Sequence, residues 1–244
     1  MATRISIATG NWTAAGTWGE VDATSFLDSE AASTNLTTSY VESAGFTPGA
    51  ITVDGLAVKV SLRTGTTGTM SVRLALAGIT VTGTEVTINT ADVDAGDVAA
   101  NGGCGWYLFK FSSPVTLLAA TSYTLSAKAS NTSQIGLFRN STAGNWSRCL
   151  RTTTTGAPGA ANVLIVAGEH TGAGTGNDIT VTMNETATTD YGIITVNKRG
   201  TLAYGTSAST NYYLKTSGDM DVYGAGIFTI GTTGTPIPST STAV

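Results

Sequence analysis

The sequence predicts an all-β protein, a jelly-roll-like antiparallel sandwich followed by a short β-solenoid-like or hairpin-stack region. Three observations carry this. Apolar and polar residues alternate with period two from Ile51 to Ile88, the pattern of strands with one wet and one buried face. Short runs between Gly192 and Gly231 are punctuated by glycine at rung-like intervals. In 244 residues 11% are charged against 41% hydrophobic, with net charge −4, which excludes a disordered chain, and the abundant Thr and Val suit pleated sheets.

Residues 3–8 (TRISIA) alternate and read as a first strand. The glycine-bounded loop after it carries Trp12 and Trp18. From Val21 to Thr47 the signal is weak. It sharpens at Ile51-Val53, Leu56-Val58-Val60-Leu62, Met70-Val72-Leu74-Leu76, Ile79-Val81 and Val86-Ile88, separated by turns such as Asp54-Gly55 and Ala77-Gly78. Further strands are expected at 106–111, 115–117, 123–127, 135–138, 149–151 and 163–166. That number suits a sandwich over 1–160. A glycine-rich connector is expected over 161–176, and a solenoid-like oligomerisation region with a polar tail over 177–244.

In that last region Ile193-Thr195, Thr201-Tyr204, Tyr212-Leu214, Met220-Tyr223 and Ile227-Ile230 alternate with Gly200, Gly205, Gly218, Gly224, Gly226 and Gly231. Each rung of such a stack buries its apolar face only against a neighbour, so an uncovered last rung calls for a partner. Tyr212, Tyr213, Tyr223, Ile227 and Phe228 are the candidate interface residues, and a homotrimer is the expected assembly.

The 12 basic residues are scattered and the net charge is acidic, which disfavours nucleic acid and anionic membrane as partners. No apolar run approaches the roughly 20 residues that span a bilayer. Cys104 and Cys149 lie beside aromatic residues and are expected as buried free thiols. His170, the single histidine, falls in the glycine-rich segment and is expected to be solvated; no Gly-x-Ser-x-Gly elbow accompanies it. Asp92, Asp94 and Asp97 crowd one turn but lack the calcium-loop spacing, so a solvated acidic turn is expected. Asp219 and Asp221 share a strand face, yet no substrate groove accompanies them. Asn11, Asn35, Asn131, Asn140, Asn145 and Asn184 stand in Asn-x-Ser/Thr triplets, which arise by chance in a chain this rich in Thr. No catalytic residue, metal or cofactor is expected.

Two stretches resemble known families. FKFSSPVTLLAATSYTLSAKAS (109–130) resembles the paired late strands of carbohydrate-binding-type jelly rolls and of sandwich domains in tailed-phage structural proteins. GTLAYG (200–205) with GDMDVYGAGIFTIGTTGTPIP (218–238) resembles the eight-glycine domain that precedes β-helices in extracellular proteins and phage appendages. The N-terminus MATRISIATGNW has no apolar leader core, while the composition looks extracellular. A phage virion protein, made in the host cytoplasm and released by lysis, meets both conditions. The resemblance therefore implies a non-enzymatic decoration or appendage subunit that contacts its own copies and other virion proteins. The alternatives are an extracellular carbohydrate-binding module, with Trp12, Trp18, Trp106 and Trp146 as stacking residues for glycans, and the N-terminal part of a polysaccharide-active β-helix protein.

Overall fold

Residues that alternate apolar and polar side chains satisfy their backbone groups in ladders and bury one face, and most of this chain does so. A computed structural model describes residues 2–94, 104–205, 210, 212–223 and 226–229. Its strands run, in order, β1 (Thr3–Ser6), β2 (Gly10–Asn11), β3 (Trp18–Val21), β4 (Ala32–Asn35), β5 (Val41–Glu42), β6 (Ile51–Arg63), β7 (Thr69–Leu76), β8 (Ile79–Thr80), β9 (Val86–Asn89), β10 (Gly105–Leu117), β11 (Thr124–Ala129) and β12 (Ile135–Arg139). They continue with β13 (Arg148–Thr155), β14 (Val163–Val166), β15 (Glu169–Gly172), β16 (Thr175–Asn177), β17 (Ile179–Met183), β18 (Asp190–Tyr191), β19 (Ile194–Val196), β20 (Gly200–Tyr204), β21 (Lys215–Thr216), β22 (Met220–Val222) and β23 (Ile227–Thr229). The fold is all-β. Among the described residues the helical pieces are two 3-10 turns, and no helix is long and apolar enough to cross a membrane.

Two sheets face each other in the sandwich. The smaller runs β5-β11-β7-β8, with β9 also on β7. The larger is centred on β6, which lies between β10 and β13 and also pairs with β12. Alternation along β6 sends Leu56, Val58 and Val60 into the core between the sheets, and a shift of register at Asp54 brings Val53 to the same side; there they meet Val72 and Leu74 of β7 and Tyr107 and Phe109 of β10. Its other face carries Ala57 and Lys59.

The second half is a parallel stack. β1, β14, β19 and β22 pair in parallel on one face, β2, β17, β20 and β23 on a second, and β18 with β21 on a third. Leu164, Ile194 and Met220 form one register column, and Val181, Leu202 and Phe228 another. These columns line a second core with Trp12, Trp18 and Tyr191.

The halves are joined through β14, whose four residues are all buried. Leu164 and Val166 point into the stack, while Ile165 packs with Ile5, Ala57, Trp106, Leu108 and Cys149 in a third core. One continuous sheet thus runs from β10 and β6 through β13, β3 and β1 into β14, β19 and β22. The boundaries expected from the sequence fall differently as a result. Residues 161–176 are not a bare connector: they contain β14, β15 and the first residues of β16, and β15 pairs in parallel with β10. Thr3 to Asn11 supply the first turn of the stack, so the sandwich is inserted within that turn. Ile230, Gly231 and the tail to Val244 lie outside the described residues, as do Gly224 and Asp97.

Candidate functional site

The two ends of the stack are unlike. At the first turn β1 is covered by β3, which pairs antiparallel to it, and Trp12 and Trp18 plug the interior. The two indoles meet edge to face with ring centroids 5.2 Å apart, and Trp18 Nε1 donates to the Trp12 carbonyl at 2.7 Å. At the other end β22 and β23 are the outer strands of their sheets among the described residues. Met220 and Phe228, which continue the two columns, are only partly buried; Val222, in register with Val196, is 46% exposed, and Ile227, in register with Thr201, is 53% exposed. The backbone edge and these apolar groups together present a parallel β template.

Of the five candidate interface residues, Ile227 is the exposed one. Tyr212 and Phe228 pack partly on the stack's own core, and Phe228 meets Tyr204 edge to face at 6.2 Å. Tyr213 is half-buried, and its amide donates to the Glu185 carbonyl at 2.8 Å. Tyr223 turns back to the sandwich, its phenol donating to Glu30 at 3.2 Å.

That contact belongs to a charged cluster beside the last turn. Lys59 Nζ lies 3.0 Å from Asp28 Oδ1 and 2.5 Å from Glu30 Oε1, with the Trp106 and Tyr223 rings 5.8 and 5.7 Å away. Burial alone would lower the Lys59 pKa, but the neighbouring carboxylates hold it above the usual lysine range. Burial and the charges of Asp219, Glu30 and Asp28 raise the Asp221 carboxyl, against the pull of Lys59. Burial likewise pushes Tyr223 up to about 12.

A second cluster is sealed between sandwich and stack. Arg151, wholly buried, donates from Nε and Nη2 to both Asp54 oxygens at 2.8 and 2.9 Å, from Nη1 to the Ser6 carbonyl at 2.9 Å, and from Nη2 to Glu169 Oε1 at 2.6 Å. Lys110 and Asn177 donate to the other Glu169 oxygen at 2.9 and 2.8 Å. Burial would raise the Glu169 pKa, yet Arg151 and the donated hydrogen bonds bring it below the ordinary carboxylate range. No local pattern marked Lys59, Arg151 or Glu169, because their partners lie far away in sequence.

His170 is not solvated: it is 1% exposed and packs by the rings of Tyr107 and Phe109, at 5.2 and 6.2 Å. Pairing of β15 with β10 draws it inside, and burial, aided by Arg199 and Lys198, lowers its pKa to about 4. All four tryptophans are buried, at 1% exposure or less, so none offers a ring face to a sugar. Trp12 also meets Tyr191 at 5.1 Å, and Trp106 stacks on Phe26 at 6.4 Å. Cys104 and Cys149 are buried free thiols, and burial pushes Cys104 up to about 12. The acidic turn is partnered: Asp92 accepts from the amides of Asn89 and Gly174, and Asp94 pairs with Lys198 at 2.9 Å. No group of three His, Cys, Asp or Glu among the described residues is arranged to hold a metal. Extra residues in β13 opposite Glu20 splay that strand from β3 and open a shallow polar hollow of about 390 Å³ lined by Glu20, Asp22, Thr52 and Thr152 to Thr154.

No family model and no curated protein matches the chain. Among solved structures, the catalytic unit of a thermostable GH87 α-1,3-glucanase from Streptomyces thermodiastaticus aligns over 94% of this chain and 48% of its own, at 10% identity and a TM-score of 0.29. The catalytic domain of a GH87 α-1,3-glucanase in complex with nigerose aligns over 94% and 49%, at 11% identity and a TM-score of 0.19. This chain therefore spans about half the length of each, and likeness at this level assigns neither fold nor activity.

Proposed function

We propose that the protein is a non-enzymatic structural subunit whose sandwich seals the first turn of a parallel β-stack and whose last turn is completed by another β surface. The difference between the two ends of the stack carries this reading: two buried tryptophans and an antiparallel strand close one, while exposed Val222 and Ile227 mark the other. Decoration or appendage of a phage particle is the setting in which such a subunit would act, joined to its own copies as a trimer and to other virion proteins. Each large apolar side chain buried at the contact contributes about 1.5–3 kcal/mol before ordering costs.

The same open end favours a second reading, in which further chain continues the stack as part of an extracellular polysaccharide-active β-helix protein. Analytical ultracentrifugation over a wide concentration range separates the two. The structural subunit forms a defined oligomer that Val222→Asp and Ile227→Asp abolish while the monomer keeps its fold. A monomer at every concentration overturns self-assembly and leaves the second reading.

A further inference from the structure

We propose that Lys59 and Asp28 form an intramolecular isopeptide bond, with Glu30 carrying the proton. Three features of the cluster point to this modification. The Lys59 side chain is nearly closed to water, and both oxygens within salt-bridge reach of Nζ belong to carboxylates, Asp28 at 3.0 Å and Glu30 at 2.5 Å. The Trp106 and Tyr223 rings flank the ammonium group and Phe26 stacks on Trp106, so aromatic surface covers the amine side of the pair, while Asp28 and Glu30 keep 25% and 39% of their side chains open to water. The donor and acceptor are also held in place: Lys59 sits in central strand β6, while Leu27, next to Asp28, bridges Arg148, and Arg148 is paired with Val58 beside Lys59.

An amine held against a carboxyl in this way reacts as if at very high concentration, with effective molarities on the order of 10⁵–10⁸ M for well-oriented pairs. The groups facing Nζ allow the step to balance. One ammonium proton passes to the Asp28 carboxylate, leaving a neutral amine. The amine attacks Cγ of Asp28 and the C–N bond forms, giving a tetrahedral intermediate whose now positively charged nitrogen passes a second proton to Glu30. Glu30 returns that proton to the Asp28 hydroxyl as the C–O bond breaks, and the oxygen leaves as water. The third proton stays on the amide nitrogen. One positive and one negative charge vanish together, and nothing is oxidised or reduced. Asp221 and Tyr223, the other titratable groups on this side, supply no atom; Tyr223 orients Glu30 through its hydroxyl.

Mass spectrometry of the denatured full-length chain tests this directly. The intact protein should weigh one water less than its sequence, and Asp28→Ala, Lys59→Arg and Glu30→Gln should each restore the full sequence mass. Cleavage after Glu20, Glu30, Glu42 and Glu85 places Asp28 in peptide 21–30 and Lys59 in peptide 43–85. The two should then run as one branched species. Full mass in the wild-type chain overturns the proposal, and so does a water loss carried by either peptide alone, which is the signature of a cyclised Asp28-Ser29 or Asp54-Gly55 step.

Discussion

Arg151 and Glu169 meet at 2.6 Å with 0% and 2% of their side chains open to solvent, and they do so across the seam between sandwich and stack. Arg151 comes from β13 and Glu169 from β15, while Ser6 of β1 and Asp54 of β6 complete the guanidinium's partners. A planar fork is needed to serve all three at once.

Arg151→Met should therefore destabilise the protein by about 3–5 kcal/mol, because Asp54 and Glu169 lose their shared cation inside the protein. Arg151→Lys should recover little of this, since an ammonium cannot bind Asp54 through two parallel hydrogen bonds. Urea unfolding checks both: the midpoint should fall with the slope unchanged.

Stability should fall as pH drops from about 6.5 to about 4. The folded state holds His170 neutral down to about 4, whereas the unfolded chain takes up a proton near 6.5. Above that window neither state is protonated and His170 contributes no slope; below it both are, and the loss levels off at roughly 3 kcal/mol. Glu169 acts in a lower window. Its pKa is depressed in the folded state, so its contribution is complete above the ordinary carboxylate value and disappears as pH falls through the folded one. Unfolding midpoints measured across pH should lose the upper slope in His170→Leu and keep the lower.

Gly105 has φ +84°, and a methyl group there would lie 2.7 Å from the Tyr223 Cβ and 2.6 Å from the Asn197 oxygen. Gly105→Ala should cost about 1–3 kcal/mol in backbone strain and push Tyr223 off the sandwich. Hydrogen exchange at Met220 to Val222 should accelerate while the β6 amides stay protected.

Local patterns made the sandwich legible. Leu56, Val58 and Val60 alternate because β6 buries one face in the core it shares with β7 and β10, and the alternation is visible without the partner strands. The apolar runs and corner glycines from Gly192 onward read equally as a solenoid or a stack of hairpins, and the parallel pairing of β19 with β22 and of β20 with β23 decides for the former among the described residues. The opening turn was not legible. Thr3 pairs with Val163, and nothing near Thr3 records that distant contact. His170 misled for a related reason: a glycine-rich stretch reads as solvated, but these glycines allow close packing, as at Gly176, where a side chain would strike the Glu169 carbonyl. The tryptophans stood in the sequence as candidate sugar-stacking residues, and their burial in three separate cores leaves no ring face open to a glycan. Lys59, Asp28 and Glu30 carried no signal because strand pairing, not spacing, gathers them.

The parallel pairing of β1 with β14 sets an order of events during synthesis. The segment at Thr3 emerges from the ribosome long before Val163, and at about 5–20 residues per second the wait is on the order of ten seconds. The intervening sandwich has its own core and can form in that interval, while the first strand and the two plug tryptophans remain without their lasting neighbours. Any factor that shields nascent hydrophobic segments would find its target there.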